Sequence, residues 1–190
     1  MEIRTLDPDD STAIDAAARI LTAAFADRQP APWSTYDDAF AEVQTALAPN
    51  AICRAAFNSD GAMLGWIAGA PQYGGNVWEL HPLAVHPDAQ RRGVGRALTT
   101  DFERQVAAQG GVTILLGADD EEGMTTLGNV DLYPNVCEHI ARVQNLRSHP
   151  FEFYQKCGFV IVGIVPDANG IGKPDILMAK RVERAQPDHS

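Results

Sequence analysis

Apolar residues at Ile14, Ala17, Ala18, Leu21 and Phe25 recur at the spacing of one helical face and predict a helix over Ser11 to Ala26. A second helix fits Ser34 to Leu47, and the prolines of Gln29-Pro30-Ala31-Pro32 interrupt the pattern between them. Shorter apolar runs at Glu2 to Leu6, Ala51 to Phe57, Ala62 to Ala70 and Val77 to Val85 read as strands. The turn sequence Asn58-Ser59-Asp60-Gly61 joins two of them, which predicts an antiparallel meander. Val94, Ala97, Leu98, Phe102 and Val106 then mark one side of a helix over Gly93 to Ala108, and Val112 to Gly117 is a strand. Strand, helix and strand in that order imply a right-handed parallel crossover. Further on, Pro150 opens a short helix that Gly158 closes. Phe159 to Val165 and Asp175 to Lys180 are strands joined around Asp167-Ala168-Asn169-Gly170. The expectation is one α/β (α+β) domain over residues 1–182, with a central, mostly antiparallel sheet, a parallel pair at the crossover and a flexible tail at 183–190.

Composition narrows what such a domain does. With 190 residues, 45% hydrophobic and 21% charged, the chain can bury a core without staples. No run approaches the ~18 apolar residues of a membrane span, and Met1-Glu2-Ile3-Arg4-Thr5-Leu6-Asp7 lacks the form of a signal peptide, so a soluble cytoplasmic protein is expected. Cys53, Cys137 and Cys157 are too scattered for a disulfide framework or a zinc site, and no metal is expected. A formal charge of −10 disfavours nucleic acid and favours cations. Against it, Arg91, Arg92 and Arg96 make a local basic cluster, which is either a solvated loop or the seat of one anionic ligand.

Gln90-Arg91-Arg92-Gly93-Val94-Gly95 lies between a strand and a helix, where free N–H groups and the helix dipole can hold a pyrophosphate. It lacks the GxGxxG of dinucleotide folds and the Gly-Lys-Ser/Thr ending of a P-loop. With the preceding strand, Leu83-Ala84-Val85-His86-Pro87-Asp88-Ala89-Gln90-Arg91-Arg92-Gly93-Val94-Gly95-Arg96-Ala97-Leu98 resembles the signature of the GCN5-related N-acetyltransferase (GNAT) superfamily. The resemblance implies acetyl-CoA as cosubstrate. Its pyrophosphate would lie on the amides from Arg91 to Arg96, led in by Gln90, and its pantetheine arm along the backbone of Leu83, Ala84 and Val85.

Acetyl transfer to an amine needs a base, a donor to the thioester oxygen and an acid for the thiolate. Glu79 and His81 are two apart on a strand and so share a face, and either could take the ammonium proton. Pro82 has no N–H for a ladder and suits a bulge or a strand that splays from its neighbour, which would free the Leu83 amide. Phe153-Tyr154-Gln155-Lys156-Cys157-Gly158-Phe159 matches a second superfamily element, which implies Tyr154 as the acid facing the coenzyme sulfur. Asn145 precedes it where the superfamily often has an asparagine on pantetheine.

Trp78-Glu79-Leu80-His81-Pro82-Leu83, Pro71-Gln72-Tyr73-Gly74, Leu116-Gly117-Ala118-Asp119-Asp120, Asp131-Leu132-Tyr133, Gln144-Asn145-Leu146-Arg147, His149-Pro150 and Lys173-Pro174-Asp175 are similar to a dimeric branch of the aminoglycoside 6'-N-acetyltransferases. That resemblance implies Glu79 as base, His81 in support, Leu83 as amide donor and Tyr154 as acid. Tyr73, Glu79, Asp119 and Asp120 would meet a cationic aminoglycoside, in a homodimer. Two other readings stay open: a broader amine acetyltransferase acting on polyamines, lysines or peptides, and a catalytically silent acetyl-CoA sensor.

Overall fold

The predicted hairpin closes through its turn residues: the Asn58 amide donates to the Ala62 carbonyl at 2.9 Å, and Gly61 takes the left-handed backbone (φ 81°) that a side chain would strain. The computed structural model describes residues 1–28 and 31–182; Gln29, Pro30 and the expected tail at 183–190 lie outside the described residues. The chain forms two compact units, Met1–Ile114 joined by Val182, and Leu115–Arg181.

In the first unit, strands β1 (Glu2–Thr5), β2 (Ile52–Phe57), β3 (Met63–Gln72) and β4 (Val77–Val85) pair antiparallel in chain order. Helix α1 (Ser11–Phe25) starts where the Asp10 carboxylate accepts the Ala13 amide, and α2 (Tyr36–Ala46) where the Thr35 hydroxyl accepts the Asp38 amide. One face of α1, with Ile14, Ala17, Ala18 and Leu21, is buried with Leu6, Val43, Ala55, Trp66 and Ala84. Two fully buried alanines let the α1 backbone come close enough for the Trp66 indole N–H to bond the Ala17 carbonyl at 3.0 Å. Helix α3 (Val94–Ala108) packs on β2 and β3, and Phe102 lies against Gly69 where a Cβ would find no room. The Val112 and Thr113 amides both bond the Asn76 carbonyl, at 2.9 and 3.2 Å, so β5 (Thr113–Asp119) sets out from the same end as β4, parallel to it as the crossover predicts.

The second unit holds most of β5, together with β6 (Val160–Val165) and β7 (Asp175–Arg181), in the order β5-β7-β6. Leu116, Leu127, Leu132, Phe151, Phe159, Ile176 and Met178 are among its buried residues. Helix α5 (Phe151–Lys156) ends as expected, with Gly158 left-handed at φ 91°. Helix α4 (Val136–Ala141) is not foreseen by the periodicity: six residues, none buried, cannot display an apolar stripe. The two unit-wise strand sets and flanking helices are those of the expected mixed α/β class.

Candidate active site

Along β4, Gly69 pairs with Leu80 and Ile67 with Leu83, so His81 and Pro82 together stand against Ala68 alone. This is the bulge that Pro82 predicts. The added residue changes the phase of the strand. Leu80 shares a side of the sheet with Gly69, under Phe102 of α3, while Glu79 and His81 take the other side; beyond the bulge it is Ala84, paired with Trp66, that faces α1. Glu79 and His81 therefore share a face, as their spacing predicts.

The ladder also fixes where the backbone of Leu83 points. The His86 amide donates to the Leu64 carbonyl at 2.9 Å, and bonded pairs alternate along an antiparallel ladder. Trp66–Ala84 is then the next bonded pair, and Leu83 and Val85 turn their N–H and C=O groups away from β3. In agreement, the Val85 carbonyl accepts the Gln90 side-chain amide at 3.2 Å.

Glu79 is exposed and accepts the Gln72 side-chain amide at 3.1 Å. His81 lies 3.6 Å from the Glu42 carboxylate of α2, with the Trp33 ring centroid 5.7 Å from its own. Trp33 in turn meets Phe25 edge-on at 4.9 Å. Tyr73 occupies a tight turn at the end of β3, 79% exposed. Gln72, Glu42 and Trp33 are additions that sequence reasoning did not single out. Only Gln72 carried a usable signal, as a polar residue beside Glu79 once the β3–β4 register is known.

Between β4 and α3, Arg91 and Gly93 are both left-handed, at φ 59° and 85°, and Gly93 caps α3 without a side-chain bond. Alternating backbone handedness turns successive N–H groups to one side, and the first-turn amides of α3, Val94 to Arg96, add theirs. Arg91, Arg92 and Arg96 are exposed, and among the described residues none is in an ion pair. A depression of about 540 Å³ lies beside Arg96, lined by Gly93, Ala97, Thr100 and Arg104 together with Met1, Ile3 and Asp101. Converging amides, free guanidinium groups and open space suit a polyphosphate.

In the second unit Tyr154 is half-buried on α5, its ring edge-on to Phe153 at 5.1 Å and Phe159 at 5.6 Å. Asn145 spends its amide on His149, accepting the His149 N–H at 2.7 Å and donating to its carbonyl at 2.9 Å, so its side chain braces a loop. Asp119 is exposed at the end of β5. Asp120, expected to meet substrate ammonium groups, needs correction: it is fully buried, and its two oxygens accept the Met124 amide at 2.6 Å and the Thr125 amide and hydroxyl at 2.9 and 2.7 Å. Its carboxylate holds the following loop and is not presented outward. Among the described residues no His, Cys, Asp and Glu group could hold a metal ion, and no helix is long and apolar enough to cross a membrane.

Residues 15–128 match the model of the acetyltransferase (GNAT) family. No curated protein matches. Among solved structures, an aminoglycoside 6'-N-acetyltransferase complexed with coenzyme A is 39% identical, with 99% of this chain and 100% of that one covered and a TM-score of 0.88. The aminoglycoside 6'-N-acetyltransferase from Enterococcus faecium is also 39% identical, over 99% and 100%, with a TM-score of 0.87. An aminoglycoside 6'-acetyltransferase type Ii is 32% identical over 98% and 100%, with a TM-score of 0.74.

Proposed function

The chain belongs to the acetyltransferase (GNAT) family, and from that premise we propose that it transfers the acetyl group of acetyl-CoA to the 6'-amine of aminoglycoside antibiotics, conferring resistance. The observation that carries the substrate is the 39% identity across the whole length of an aminoglycoside 6'-N-acetyltransferase, which takes in both the Glu79 strand and the Tyr154 helix. Acetyl-CoA supplies the activated acyl thioester. The amides of Arg91 to Arg96 hold its pyrophosphate, with Gln90, Arg91 and Arg92 beside them, Gly93 and Gly95 allowing close backbone approach and Val94 contributing its amide. The edge of Leu83, Ala84 and Val85 that faces away from β3 pairs with the pantetheine arm, and Asn145 keeps its loop in place for the same arm.

Glu79 accepts the proton of the substrate ammonium directly or through water, leaving a neutral amine to attack the thioester carbonyl. The Leu83 amide donates to the carbonyl oxygen as charge develops there. Tyr154 returns a proton to the departing thiolate. His81, held against Glu42 and Trp33, supports Glu79 and is less free to serve as base. Attack is direct, without an acetyl-enzyme. Tyr73 and Asp119 contact the polycation, and the net charge of −10 favours its approach. A cytoplasmic homodimer with one catalytic domain over residues 1–182 belongs to the same reading.

The test is release of coenzyme A thiol with kanamycin-type antibiotics, polyamines and lysine peptides side by side. Turnover is expected with the antibiotics, and product analysis should find the acetyl group at the 6' position. Turnover of polyamines or peptides alone would replace this reading with the broader amine acetyltransferase, and acetyl-CoA binding without any turnover would replace it with the sensor.

A further inference from the structure

A carboxylate at the end of a surface strand ordinarily pivots about two side-chain bonds, and a cation that binds it must halt that motion at an entropic cost. Asp119 does not pivot freely. One carboxylate oxygen, Oδ1, accepts the side-chain amide of Asn169 at 2.5 Å, while Oδ2 has no hydrogen bond among the described residues. From this geometry we infer that Asn169 is a positioning residue for substrate recognition: it fixes the Asp119 carboxylate so that the remaining oxygen is presented to a substrate ammonium group. The inference rests on the reading of Asp119 as a substrate contact.

Both partners stand on braced backbone. The Asp119 carbonyl meets Nε2 of His149 at 3.0 Å, and Nδ1 of the same ring faces the Phe151 N–H at 3.2 Å. A backbone amide can only donate, so Nδ1 is the unprotonated nitrogen and Nε2 carries the hydrogen that goes to Asp119. His149 is 2% exposed and clasped by Asn145, which leaves this ring little room to turn. On the other side of Asp119, the Asp120 amide bonds the Pro174 carbonyl at 2.9 Å, with the buried Asp120 carboxylate tied to Met124 and Thr125. Asn169 sits in the turn from β6 to β7, where its own amide bonds the Lys173 carbonyl at 3.0 Å and Asp167 accepts the Gly172 amide at 2.7 Å.

The residue type matters as much as the place. A lysine or arginine at position 169 would orient Asp119 equally well but would neutralise it and compete with the incoming ammonium. The asparagine amide donates one hydrogen bond and leaves the full negative charge for the ligand.

Steady-state kinetics with kanamycin at saturating acetyl-CoA separate the roles. Asn169→Ala removes a hydrogen bond at an exposed side chain and should raise the kanamycin KM roughly five- to tenfold, with kcat and the acetyl-CoA KM unchanged. Asn169→Gln should recover part of the loss. Asp119→Ala should raise the KM at least as far, and the double variant should match Asp119→Ala, since Asn169 acts only through that carboxylate. If Asp119→Ala raises KM while Asn169→Ala does not, the positioning role is overturned and the substrate contact survives. An Asn169→Ala effect that persists in the Asp119→Ala background, or that lowers kcat and thermal stability in step with KM, overturns it too. An unchanged KM in Asp119→Ala removes the substrate contact itself, and the inference with it.

Discussion

Gln72 reaches across from the end of β3 to donate its side-chain amide to Oε2 of Glu79, at 3.1 Å, on the face that β4 shares with His81. The bond holds one oxygen of the proposed base and leaves the other for a proton. Glu79→Gln should lower kcat by about 10²-fold, in the range of a single general base. Gln72→Ala should cost only several-fold, and adding it to Glu79→Gln should cost nothing further. Steady-state rates across pH check this, and an unaltered profile in Glu79→Gln would remove Glu79 from the mechanism.

Tyr154→Phe keeps the ring between Phe153 and Phe159 and deletes only the hydroxyl. The expected result is a fall in kcat of about 10²-fold with thermal stability and coenzyme A affinity retained. Calorimetric binding beside turnover assays separates the two quantities. A full rate in the variant would assign thiolate protonation to solvent.

The Arg54 guanidinium on β2 meets Asp101 on α3 at 2.6 Å, with side chains only 14% and 15% exposed, and also donates to the Thr5 hydroxyl at 2.7 Å. Asp101→Ala would leave that cation half-buried and should destabilise the fold by about 3 kcal/mol in denaturant titration. Replacing both partners, as Arg54→Met with Asp101→Leu, should cost less than the single change, because no charge is left unpaired.

Burial pushes the Cys53 thiol up to about 12, against an ordinary value of 9.0. The folded state therefore keeps a proton that the unfolded chain releases. This contribution to stability is intact below pH 9 and declines as pH rises from there towards about 12. Alkylation followed by mass spectrometry should label the exposed Cys137 in the native protein and Cys53 only after unfolding. Labelling of native Cys53 at neutral pH would contradict the burial.

Elements whose signal is local were legible before the structure. Val77–Val85 matches its expected bounds, and α1, α2 and α3 differ only by a residue or two at their ends, since apolar periodicity and turn residues act within a few positions. The bulge was legible because proline cannot complete a ladder. What escaped depends on partners distant in sequence. Glu42 against His81 spans two elements that no spacing relates, and Asp120 could not be told from Asp119 until the Thr125 loop folded back on it. Helix α4 escaped for the opposite reason, being too short and too exposed to leave a pattern.

The bulge at His81–Pro82 gives β4 one residue of slack. Deleting one residue there would restore a one-to-one ladder with Leu80 still opposite Gly69 and Glu79 still opposite Ala70, so the Glu79 carboxylate would keep its side of the sheet. A codon lost at the bulge would therefore remove the break in the ladder beside Leu83 and leave the side chains before and after it where they stand.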